Sequence, residues 1–124
     1  MDKLTTEQIK ALPFRKRLDY INFAVIAAKR AAEREIACMD DGGTCNFDAA
    51  VLPVGKGEIF PQATSAVRLW ARSHCAHFLD AGARGRGFHF HGGYQAATRT
   101  QWAERFKEVM EEHGVPMRIW YQMD

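Results

Sequence analysis

The sequence has no long apolar run. The longest, Phe23 to Ala28, falls far short of the ~20 residues that cross a bilayer. The stretch Met1 to Glu7 is polar and carries no apolar core of the secretory-signal type. Cysteine is scarce: the three residues Cys38, Cys45 and Cys75 form an odd set without CxxC spacing. That pattern argues against a disulfide framework and for free thiols in a reducing compartment, so the expected location is cytoplasmic, with no membrane partner. An excess of charge of one sign is also lacking. A net charge of +2, with 26% charged residues, is too mild to indicate a nucleic-acid partner by itself. There is no internal repeat, low-complexity tract or linker. GxGxxG, Gly-Lys-Ser/Thr, HExxH and paired CxxC patterns are all missing. No reaction is therefore named, no cofactor is expected, and the balance leans away from an enzyme.

What remains is material for one compact domain spanning residues 1–124, with 47% hydrophobic residues to fill a core. Thr5 and Gln8 stand at capping-box spacing and open a short helical turn. Pro13 fits the first position of a longer helix, expected to run to about Met39. Its apolar stripe is Phe14, Leu18, Ile21, Val25, Ala28, Ala32, Ile36 and Met39. The stripe is long for so small a domain. Either it crosses a whole sheet, or part of it packs on a second copy of the chain. Asp40-Asp41-Gly42-Gly43 ends it.

Cys45 to Val54 alternates as a strand, with Pro53 at its end or on an edge. A second helix is expected from Pro61 or Gln62 to Leu79, with Val67, Trp70, Ala71, His74 and Phe78 along one side. A glycine-rich basic loop, residues 80–87, leads to a strand from Phe88 to His91. A third helix is expected to start near Thr98, capped through its spacing to Gln101. Gly114 and Pro116 stop that helix. Pro116 to Met123 is the last strand. Strand–helix–strand units normally make parallel neighbours. The expected fold is α/β (or α+β): a three- to four-stranded sheet, at least partly parallel, packed by one long N-terminal helix and two further helices. A tight reversal in the basic loop is the antiparallel alternative.

Several constellations carry chemistry. Gly92-Gly93 leads into the helix start at Thr98-Arg99, where free N–H groups, the positive helix end and a guanidinium fork suit an anion. The same residues also make an ordinary capped turn. His89 and His91 alternate on one strand face and could bind a metal or act as acid and base. His74 and His77 flank Cys75 and are further candidate metal ligands, although no zinc spacing is present and structural histidines explain them equally. Cys45 is a candidate nucleophile if a histidine lowers its pKa, whereas Cys75 reads as a small packing residue in a helix. Arg68, Arg72, Arg84 and Arg86, near Phe88, Phe90 and Tyr94, could hold phosphates or stacked bases. The basic residues along the long helix, Arg15 to Arg34, read as a solvated face offset by Asp19, Glu33 and Glu35. Trp120 shares a strand face with Arg118 and Gln122, where it would be a contact anchor if exposed.

Three functions follow as expectations. The first is a small soluble binding protein acting by contact, with a protein partner or by self-association as a symmetric oligomer, of the accessory or inhibitor kind. The second is binding or hydrolysis of a phosphate-bearing ligand such as a nucleotide at His89 to Arg99. The third is nucleic-acid binding through the Arg84–Arg86 loop.

Overall fold

The computed structural model describes residues 2–37, 48–80, 86–92 and 96–120. The elements are α1 (Thr6–Lys10), α2 (Phe14–Ile36), β1 (Ala49–Pro53), α3 (Ser65–Ser73), β2 (His77–Leu79), β3 (Gly87–Phe90), α4 (Ala96–Glu112) and β4 (Arg118–Trp120). The capping box at α1 forms: the Thr5 hydroxyl accepts from the Gln8 N–H, and the Gln8 side chain accepts from the Thr5 N–H. Pro13 stands at the N-cap of α2, one position before the helix proper, and its carbonyl accepts from Arg17.

The α2 stripe is used inside the chain. Ile21, Val25, Ala28, Ala32 and Ile36 are buried, and α2 packs along α4. Glu33 on α2 accepts from the Trp102 indole N–H of α4 at 3.0 Å, and Glu35 accepts from Gln101. Phe14, at the start of the stripe, remains 43% exposed. Met39 lies outside the described residues.

The four strands form one sheet in the order β2-β3-β1-β4, and every neighbouring pair is antiparallel. This corrects the expected partly parallel sheet and puts the domain in the α+β class. The physical reason is that each strand–helix–strand unit is split. β1 and β2 do run in the same direction, but β3 folds back between them; β3 and β4 run together with β1 between them. That is the arrangement of the split βαβ, or ferredoxin-like, topology. Pleating then sorts the side chains. Ala50, Leu52, Phe88 and Phe90 face the helices and join the core, with Phe78 and Ile119 packed beside them. Full burial of a side chain such as Phe88 contributes about 1.5–3 kcal/mol. The opposite face carries one cross-strand row, His77–His89–Val51–Arg118.

The second helix stops earlier than its apolar spacing suggests. After Ser73 the chain turns through Cys75, whose φ of 57° is left-handed. The Ala76 N–H donates to the Ala71 carbonyl and the Cys75 N–H to that of Arg72, both at 3.0 Å. This is a Schellman stop with cysteine where glycine is usual. Cys75 is thus an exposed turn residue rather than a packed helical one, and His77 to Leu79, expected as helix, form the edge strand β2. The third helix starts at Ala96 rather than near Thr98. Thr98 lies inside its first turn and is buried, and Gln101 is engaged by Glu35, so the proposed cap is not formed.

Candidate functional site

The short helix α3 and the edge strand β2 build the most distinctive cationic surface. Thr64 caps α3 by accepting from the Val67 N–H. Val67 and Ala71 are buried, which fixes the helix on the core and leaves Arg68 and Arg72 exposed one turn apart. The Schellman turn then brings the chain back as β2. A cleft of about 280 Å³ opens between them, lined by Arg68, Arg72, Ala76, His77, Phe78 and Phe88.

Phe78 is the centre of this surface. The Arg68 guanidinium lies 4.5 Å from its ring centre and that of Arg86 5.7 Å away. Such contacts contribute about 0.5–1 kcal/mol each at exposed sites. Arg68 is held by its Nε–H donating to the Ala63 carbonyl at 2.8 Å. Arg86 makes a surface ion pair with Asp80 at 3.4 Å, an interaction of about 0–1 kcal/mol.

His77 links this cleft to His89 of β3 and to His91 just past its end. Its ring stacks on that of His91 at 6.2 Å, with planes 22° apart. His91 is half-buried, and its buried Nδ1 has no hydrogen-bond partner among the described residues. Its pKa is pushed below the usual imidazole value, first by burial and then by the positive charges of Arg99, His77 and His89. Arg99 donates from Nε to the Asp48 carbonyl at 3.0 Å, and the Asp48 carboxylate accepts from Thr100 at 2.6 Å. Burial lowers the Arg99 pKa, and Asp48 partly opposes the shift.

The other predicted residues divide clearly. His89 shares the His91 face but is only 3% exposed, edge-on to Trp120 at 5.9 Å. Gly92 follows β3 and is half-buried. Gly93, Arg84 and Cys45 lie outside the described residues, as do Cys38 and Tyr94. His74 is not brought to His89 and His91. Its Nε2 meets Asn22 Oδ1 at 2.6 Å and its carbonyl accepts from Lys29, so it ties α3 to α2. Among the described residues, no three His, Cys, Asp or Glu side chains converge as a metal site. Two contributors went unnoticed in the sequence. Asp48 carried no motif, and Phe78 was masked by the helical spacing around it.

His74 and His91 set a pH dependence. Burial, then Lys29, lowers the His74 pKa as well. Both groups therefore bind a proton more readily when the chain unfolds. Their contribution to stability is present above the unfolded imidazole value of about 6.5 and is lost as pH falls through their lower folded values. The melting temperature should fall between about pH 7.5 and about pH 5.5, and replacing both residues by glutamine should flatten the slope. A melting temperature that holds or rises on acidification would contradict this environment.

Compared with known proteins, the chain matches no family model, no curated protein and no solved structure.

Proposed function

We propose that this protein binds a phosphate-bearing ligand, of the nucleotide class, in the cleft between α3 and β2. The observation that carries the reading is the opening of Arg68, Arg72 and His77 onto one cleft beside the Phe78 ring. Two guanidinium forks can hold phosphate oxygens through paired, charge-assisted hydrogen bonds. The cleft's apolar wall, Ala76, Phe78 and Phe88, suits the flat part of a nucleotide. Asp80, which follows β2, is paired with Arg86.

This reading ranks above binding by protein contact or self-association. The apolar stripe that suggested a second copy is used by α4, and the exposed large apolar residues Phe14, Ile26 and Leu69 are spread over α2 and α3. A thermal-shift titration with inorganic phosphate, a nucleoside monophosphate and a triphosphate tests it. A ligand that binds only the folded chain adds about 2.7 kcal/mol of stability at about 100 times its Kd. Arg72→Ala should weaken binding at least ~tenfold, a loss of about 1.4 kcal/mol. No shift at saturating ligand, or a shift indifferent to Arg72→Ala, would overturn the assignment.

A further inference from the structure

We propose that the α3–β2 cleft is one end of a track for single-stranded nucleic acid, which crosses the β2 edge over His77 and His91 and ends at Arg99. The inference rests on the phosphate reading above and extends it from one phosphate group to a chain of them.

Continuity is the first argument. Arg68, Arg72 and His77 line one cleft, His77 stacks on His91 at 6.2 Å, and Arg99 is held to the carbonyl of Asp48, two residues before Ala50, whose partner Phe90 immediately precedes His91. Each group is thus next to the one after it, across the β2 and β3 strands. Neighbouring strands are about 4.8 Å apart and diagonal positions roughly 7–8 Å. The row is therefore much longer than one phosphate ion, which would meet only its first part.

Charge is the second argument. The groups along the row are cationic or become so on protonation. Among the described residues, Asp80 beside it is paired with Arg86, and the Asp48 carboxylate accepts from Thr100 while the Asp48 carbonyl is held by Arg99. Even His91 sits among like charges with a buried Nδ1 that no described residue satisfies. A polyanion supplies what this surface lacks.

Ring geometry is the third argument, and it selects unpaired bases. His77 is exposed with one face on His91, leaving a planar platform outward. At the cleft the Arg68 guanidinium lies 4.5 Å from the Phe78 ring centre, with that of Arg86 5.7 Å from the same ring, so cation and ring are offered together. Bases stack on such planes only when they are not paired in a duplex. A cleft of about 280 Å³ also admits a base rather than a double helix.

The test is fluorescence anisotropy on the full chain with labelled oligouridylate and oligodeoxyuridylate of about ten nucleotides, beside UMP and a duplex of similar length. Three arginines on phosphates predict a log–log salt slope of roughly −2 for a single strand. The oligonucleotide of either sugar should bind at least ~tenfold tighter than UMP and than the duplex. Arg99→Gln should weaken the oligonucleotide about fivefold or more while leaving UMP unchanged; His91→Gln serves the same purpose if Arg99→Gln unfolds the chain. Equal affinity for UMP and both oligonucleotides, with Arg99→Gln and His91→Gln inert, would overturn the track and leave the phosphate cleft standing. Tight oligonucleotide binding untouched by Arg72→Ala would overturn the cleft as its starting point. Binding of neither UMP nor oligonucleotide removes both readings, and an acidic peptide bound as tightly as the oligonucleotide overturns the nucleic-acid assignment.

Discussion

Phe106→Ala should cost about 3–5 kcal/mol of folding free energy, the largest loss expected from any single substitution considered for this chain. Phe106 is fully buried on α4. Its ring stacks on Phe90 of β3 at 5.0 Å and on Trp102 of its own helix at 5.0 Å. Trp102 in turn donates to Glu33 of α2. One ring therefore joins the sheet, α4 and α2. Removing it deletes the transfer energy of the side chain and two aromatic contacts of about 0.5–1.5 kcal/mol each. The cavity would be lined by rigid rings, which collapse poorly into empty space. Domains of this size are stable by only about 5–15 kcal/mol, so the loss is a large fraction of the total. Urea denaturation should show a lower midpoint with an unchanged slope, and Phe106→Leu should recover most of the difference. A loss below about 1 kcal/mol would mean that this junction is not the centre of the core.

The parts of the fold that the sequence made legible are those set by local chemistry. The α1 capping box needs only Thr5 and Gln8, four consecutive residues of backbone, and it forms as expected. The long helix follows from 3.6-residue spacing repeated over many turns, and its stop short of Ala37 lies close to the expected end. β1 and β4 lie within the stretches that alternate, and β3 overlaps its expected stretch, shifted one residue toward Gly87. β2 was hidden for two reasons. It has three residues, too few for a period-2 signal, and Phe78 falls in phase with Val67, Trp70, Ala71 and His74 as though the helix continued. The turn that breaks the helix uses Cys75, a residue with no special preference for positive φ, where glycine would have announced it. Strand order is a different kind of failure. Parallel direction within each βαβ unit follows from the order of elements, but the insertion of a third strand between the pair is decided by tertiary packing.

The same distinction governs the candidate site. Arg68 and Arg72, four residues apart, were visible as neighbours on any helix. The meeting of His77 with His91 was not, because it depends on β2 pairing with β3. A helix continued through Leu79 places His74 and His77 three residues apart as one pair. The strand instead sends His77 to the sheet face and leaves His74 on Asn22. The Thr98–Gln101 pattern shows the opposite error. Its spacing satisfies the capping rule, yet α4 already begins at Ala96, Thr98 is buried inside the first turn, and Gln101 bonds to Glu35.

Gly114→Ala should destabilise the protein by about 2–4 kcal/mol, more than a helix-end substitution usually does. Two effects add at this position. The first was legible in the sequence: Gly114 has φ of 79° and closes α4 with a Schellman stop, its N–H donating to Glu111 and that of Val115 to Met110. A non-glycine residue there costs roughly 1–2 kcal/mol. The second comes from the fold. The amino-terminal segment crosses the end of α4 so closely that a Cβ on Gly114 would be driven into the Leu4 carbonyl oxygen and against Thr5. That segment has little freedom to withdraw. Thr6 donates to the Gly114 carbonyl at 2.6 Å, and Tyr20 accepts from the Leu4 N–H while donating to the His113 carbonyl. Moving it would break those bonds, each a net contribution of about 0.5–1.5 kcal/mol. Gly114→Asn separates the two causes, because asparagine tolerates the left-handed region but still carries a Cβ. If the close crossing dominates, denaturation midpoints for Asn and Ala should fall together, whereas recovery in the Asn variant would assign the loss to backbone strain. An alanine variant within about 0.5 kcal/mol of the parent would mean that the chain does not cross α4 at Leu4.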